Sequence, residues 1–112
     1  MNEVEKVTQF YKERGIKHNV GYVYVLKADN GLYKIGKSKD PSGRIKSLYT
    51  ASPAKLEIYR IFLSSDYHAA EEALHEEFKD YREVGEWFRL PQVELDSLNS
   101  RPDDHFLLSC YI

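Results

Sequence analysis

The chain has one cysteine, Cys110, among 112 residues. No internal disulfide can form, and a reducing cytosol is the setting it suits. No apolar run approaches the roughly eighteen residues of a membrane-crossing helix. The first residues, Met1-Asn2-Glu3-Val4-Glu5, carry acids where a secretory signal carries an apolar segment, so export is not expected. Neither His68 nor His75 has a Cys or His partner at zinc spacing, which excludes a structural zinc site. A Gly-rich phosphate loop, a nucleophile elbow and a paired-cysteine redox motif are all missing. Internal repeats and low-complexity stretches are missing too.

What is there is the balance of one compact, soluble domain: 42% apolar and 30% charged residues. The net charge of −2 argues mildly against a nucleic-acid partner. The charge is unevenly placed, however. Lys34, Lys37, Lys39, Arg44 and Lys46 stand against Asp40 alone, whereas acids dominate from Glu71 onward. Such a basic patch can hold phosphates on a slightly acidic protein.

Val4, Val7, Phe10 and Tyr11 recur at helical spacing, which predicts a short helix over 3–14 that Gly15 ends. Gly21 to Lys27 and Leu32 to Lys37 read as two strands joined by a turn containing Asn30-Gly31, among the strongest hairpin signals. Asp40-Pro41 is a helix start, since Asp caps free N–H groups and Pro suits the first turn. Ile45, Leu48 and Tyr49 are its expected buried face, and Thr50 to Ala54 an expected loop. Leu56 to Leu63 reads as a third strand, apolar enough to be central. Ser65 or Asp66 caps a longer helix to about Tyr81. Glu86-Trp87-Phe88-Arg89-Leu90 is a short strand or edge segment, and Pro91 opens a helix to about Leu98. Phe106 to Ile112 is an apolar run suited to one more strand, with Cys110 as a small buried hydrophobe. The expected fold is α+β: a small, mostly antiparallel sheet of three or four strands flanked by helices.

Several residues admit both a functional and a purely structural reading. Glu71 lies on or beside the helix face carrying Tyr67, Leu74 and Phe78. Its carboxylate either reaches water or a nearby Arg, or it needs a cation, metal or donor. Arg44, one residue before Ile45, either grips a phosphate or covers the core with its stem. Tyr24 is either a core aromatic or part of a polar cluster, and the hairpin register decides which. A three-residue loop, Asp29-Asn30-Gly31, places Leu26 opposite Lys34 and Tyr24 opposite Gly36, so that Tyr24 and Lys34 share a face. A two-residue turn separates them. His75, one turn after Glu71, is a helix-face residue that could steer it.

The stretches "GYVYVL", "GLYKIG", "DPSGRIKSL", "EEALHEEF" and "GEWF", in this order, resemble the GIY-YIG nuclease superfamily, in particular its small phage- and bacteria-encoded branch. The resemblance spans about Gly21 to Leu90. Tyr22-Val23-Tyr24 stands at the G-I-Y position and Lys34-Ile35-Gly36 at Y-I-G. Two departures are visible. Tyr22 replaces the first glycine, although Gly21 precedes it, and Lys34 replaces the second tyrosine. The resemblance favours the three-residue loop.

It implies a metal-dependent endonuclease that hydrolyses phosphodiester bonds of nucleic acid, DNA ahead of RNA. Tyr24, Lys34, Arg44 and Glu71 would be catalytic, with Glu71 holding Mg²⁺ or Mn²⁺. Lys37, Lys39 and Lys46 would track the substrate backbone, and His75 and Tyr22 would support the site. The alternative is an inactive nucleic-acid-binding or protein-interaction domain on the same scaffold. The expected organisation is an N-terminal helix and linker over 1–19, the nuclease-like domain over 20–98 and a tail over 99–112. A homodimer could form through that tail, in a cytoplasmic protein without a membrane partner.

Overall fold

The hairpin forms with the three-residue loop. Its strands are β1 (Gly21–Ala28) and β2 (Tyr33–Ser38). In the computed structural model, which describes residues 2–51 and 55–103, Ala28 N–H donates to the Leu32 carbonyl at 2.9 Å. That bond closes the loop on Asp29-Asn30-Gly31. Leu26 then pairs with Lys34 and Tyr24 with Gly36, so Tyr24, Lys34 and Gly36 share one face of the sheet.

Strand β3 (Leu56–Ser64) pairs with the other side of β1, with a register shift at Val25/Leu26. Strands β4 (Arg82–Val84) and β5 (Trp87–Phe88) form a second small hairpin, and β5 joins β2. The order is β3-β1-β2-β5-β4. All the ladders are antiparallel. The fold is therefore α+β as expected, with one strand more than the sequence suggests. The extra strand is β4, whose three residues are all exposed.

Helix α1 (Glu3–Glu13) is capped by Asn2, whose side chain accepts from Glu5 N at 2.8 Å. Helix α2 (Pro41–Ala51) starts under Asp40, which accepts from the Ser42 hydroxyl at 2.9 Å. Asp66 caps α3 (Tyr67–Glu77), accepting from Ala69 N. Helix α3 ends earlier than expected, and a 3₁₀ turn, Lys79–Tyr81, follows it. Helix α4 (Gln92–Ser100) follows Pro91.

One face of the sheet packs Val23, Val25, Ile35 and Phe88 against Phe78 of the α3 end and Leu95 and Leu98 of α4. Phe78 and Phe88 are fully buried, each contributing about 1.5–3 kcal/mol by area. The other face sets Tyr24 and Leu26 against Ile45 of α2, and a third cluster joins Tyr11 of α1 to Val20 and Leu63. Arg60 ties α4 to β3 by donating to the carbonyls of Leu98 and Asn99, each at 2.8 Å.

Three expectations are corrected. Among the described residues strand β3 is an edge strand, not a central one, and its apolar Ile58 is 51% exposed. Helix α2 continues through Thr50 and Ala51 where a loop is expected. Tyr49 is exposed instead of buried, because Ile45 and Leu48 alone reach the sheet. Among the described residues no helix is long and apolar enough to cross a membrane. The expected tail strand Phe106–Ile112, with Cys110 and the dimer contact placed there, lies outside the described residues.

Candidate active site

The site is built around the Tyr24–Gly36 pair. A Cβ on Gly36 would lie 2.4 Å from both Cζ and Oη of Tyr24, so the phenol ring lies directly over the glycine backbone. The gap that glycine leaves is thus filled by Tyr24 itself. Tyr24 is almost fully buried. Burial pushes its hydroxyl above the ordinary value. The Arg44 guanidinium beside it pulls the other way, and the charges of Glu86 and Glu71 add to the rise. Arg44, not Lys34, is therefore the cation that tunes Tyr24. It stands in the first turns of α2, whose orientation is fixed by Asp40 capping and Ile45 burial.

Glu71 enters from α3, which packs on the opposite face. A close approach sets the start of that helix. A Cβ on Gly21 would lie 2.6 Å from Cγ of Tyr67, so only glycine lets the Tyr67 ring rest on β1. Gly21, rather than the position held by Tyr22, therefore has the structural need for glycine. Glu71 is 7% exposed. One carboxylate oxygen lies 3.8 Å from Lys37 Nζ. The other, Oε2, is buried and has no hydrogen-bond partner among the described residues. Burial raises the Glu71 carboxyl above its ordinary value, Glu86 raises it further, and His75, Lys37 and His68 lower it.

An orphaned buried carboxylate oxygen is the donor a hard cation takes up. No group of three or more His, Cys, Asp or Glu side chains converges to cage a metal among the described residues. A single glutamate suits Mg²⁺, or Mn²⁺ in its place, because Mg²⁺ keeps several waters and needs only one or two carboxylates. The residues present fit such an ion at Glu71.

Lys34 faces the same side as Tyr24, but its ammonium is paired with Glu86 at 3.0 Å and lies 5.4 Å from the Trp87 ring centroid. Lys39, Arg44 and Lys46 are exposed, and Lys37 is half-buried against Glu71. His75 bonds to the Ile35 carbonyl through Nε2 at 2.9 Å. A carbonyl only accepts, so Nε2 carries the proton and Nδ1 is left to accept from Arg82 Nη2 at 3.3 Å. His75 thus fixes α3 on β2, close enough to act on Glu71 through space. Tyr22 is turned to the α1 cluster, where Glu3 and Asp103 act on its hydroxyl, and it does not join Tyr24 and Arg44.

Sequence reasoning assigned no role to Glu86 or Trp87. The signal was present in "GEWF", which sits on the β4–β5 turn beside β2. The ladder between β2 and β5 covers only Tyr33 and Lys34. Tyr24 and Glu71 are held on opposite faces of the sheet, and the Glu71 charge is felt at the Tyr24 hydroxyl.

The chain is thus a small antiparallel sheet that carries a tyrosine and an arginine on one face and an orphaned carboxylate on the other. It belongs to the T5orf172 domain family, whose model matches residues 21–101. That span holds every site residue described above. No curated protein and no solved structure matches the chain.

Proposed function

We propose that this chain is a metal-dependent endonuclease of GIY-YIG type that hydrolyses phosphodiester bonds of nucleic acid, DNA ahead of RNA. One observation carries the reading: Glu71 keeps a buried, unpartnered carboxylate oxygen, and its charge is felt across the sheet at a buried Tyr24 that Arg44 tunes. A purely structural glutamate at this depth would be expected to hold a partner.

Attack by water on phosphorus breaks the bond to the 3′ oxygen, leaving a 3′ hydroxyl and a 5′ phosphate. Tyr24 is a neutral phenol at rest, because burial raises its hydroxyl. Its oxygen accepts a hydrogen bond from the water and orients it; once the phenol has released its own proton to solvent, the phenolate that Arg44 favours takes the proton of the attacking water. Arg44 also faces the charge that develops on the phosphate oxygens. Glu71 would hold the Mg²⁺, whose Lewis acidity stabilises the leaving oxygen when it is bound. Lys37, Lys39 and Lys46 supply sequence-independent contacts to the backbone. A single-cysteine chain with this substrate would work in the cytoplasm.

The test is cleavage of plasmid, single-stranded DNA and RNA with and without Mg²⁺ or Mn²⁺, comparing wild type with Glu71→Ala. The reading expects metal-dependent cutting that the variant loses. Absence of cutting on every substrate by folded wild type overturns it, and salt-sensitive binding without cleavage would then mark an inactive binding domain.

A further inference from the structure

We propose that Glu86 is a positioning residue of this site, holding the Lys34 ammonium against Trp87 on the face of the sheet that carries Tyr24. The inference rests on the nuclease reading and assigns a role to a residue outside its four catalytic positions. Lys34 pairs with Trp87 across the β2–β5 ladder, which brings the turn preceding Trp87 beside the lysine. The turn is fastened by its backbone, since Ile35 N–H donates to the Glu86 carbonyl at 3.0 Å. The carboxylate is therefore presented from a rigid edge, not from a free loop. It meets Lys34 Nζ at 3.0 Å, and the lysine side chain is only 12% exposed. A long, flexible lysine confined in this way has lost the rotamers it would otherwise sample.

The pair has a cost for substrate. Glu86 places a negative charge beside the lysine that the polyanion would meet, and its charge is felt at both Tyr24 and Glu71. Part of the Lys34 charge is offset before any phosphate arrives. Glu86 thus weakens ground-state attraction while fixing the geometry that the transition state uses. Interactions of this kind separate KM from kcat.

The experiment is steady-state cleavage by wild type, Glu86→Gln, Glu86→Asp, Lys34→Gln and the Lys34→Gln/Glu86→Gln double variant, with DNA affinity measured in Ca²⁺. The Glu86 carboxylate is 40% exposed and its backbone bond survives substitution, so the variants keep the fold. Glu86→Gln should lower kcat by about 10- to 100-fold, the scale of a misplaced group. It should also tighten KM and the DNA affinity by about 2- to 5-fold, the scale of an exposed charge. Glu86→Asp, which keeps the charge but lacks the reach, should restore KM and not kcat. In the Lys34→Gln background the kcat effect of Glu86→Gln should vanish. Equal kcat in wild type and Glu86→Gln, or kcat and affinity falling together, overturns the role of Glu86 and leaves the nuclease reading standing. A wild type that cuts nothing overturns the nuclease reading, and this role with it. The Lys34 side-chain ammonium signal in NMR reads the pair itself: slow exchange in wild type and fast exchange in Glu86→Gln are expected whether or not the chain cuts.

Discussion

Replacing Gly36 by alanine tests the centre of the site without removing a polar group. The added Cβ would lie 2.4 Å from Tyr24 Cζ and Oη, about 1 Å inside ordinary contact at 3.4 Å. Tyr24 cannot swing away freely, because it is almost fully buried beside Leu26 and Ile45. Overpacking of this kind costs about 1–3 kcal/mol. For a domain of this size that is a fall in Tm of roughly 4 °C per kcal/mol. The hydroxyl must also move by about 1 Å, a displacement that costs a positioned group about 100-fold in rate. Urea unfolding followed by Trp87 fluorescence and by circular dichroism measures the first effect. The control is the ring itself. In a Tyr24→Phe background the penalty of Gly36→Ala should persist, since Cζ remains, whereas in Tyr24→Ala it should disappear. A Gly36→Ala chain within about 0.5 kcal/mol of wild type, the spread of ordinary surface substitutions, would refute the stacking of Tyr24 on Gly36.

Two further outcomes are expected. Glu71→Gln should raise Tm at neutral pH, because a carboxyl held above its ordinary value of 4.5 in the fold destabilises the folded state once ionised. The gain should shrink as pH falls through the raised value and vanish below 4.5, where Glu71 is neutral folded and unfolded; thermal melts across pH 3–8 read it, and a gain that grows toward acid would contradict the sign. Arg60→Met should lower stability by about 1.5–3 kcal/mol, since the guanidinium is the donor to the Leu98 and Asn99 carbonyls, with the loss visible in chemical denaturation.

The residues that repeat a local rule were legible before the fold was known. Asn30-Gly31 specified a hairpin, Asp40 marked one helix start and the pair Ser65-Asp66 another, of which the structure selects Asp66, and the spacing of Tyr67, Leu74 and Phe78 identified the buried face of α3. The three-residue loop needed one more input, the resemblance, because turn chemistry alone allowed both registers. Strand β4 was not legible: Arg82-Glu83-Val84 is short, exposed and without alternation. The place of β3 was misread because apolar content reports burial of faces and says nothing about which edge is paired. Glu86 escaped for the same reason. Its significance lies in a lysine about fifty positions earlier, and only the β2–β5 ladder brings the two together.

That ladder also bears on how the site comes into being during folding. The β1–β2 hairpin closes a loop of three residues, and β3 joins β1 across the span holding β2 and α2. The junction of β5 with β2 must gather the whole of α2, β3 and α3 into one loop, and loop closure becomes entropically harder with length. Contacts so far apart in sequence form late. The tyrosine and the arginine can be in place on an early hairpin and its neighbouring helix while Lys34 still lacks its carboxylate. A folding chain would thus carry part of the site before β5 docks on β2, and the β4–β5 pair acts as the latch that completes it.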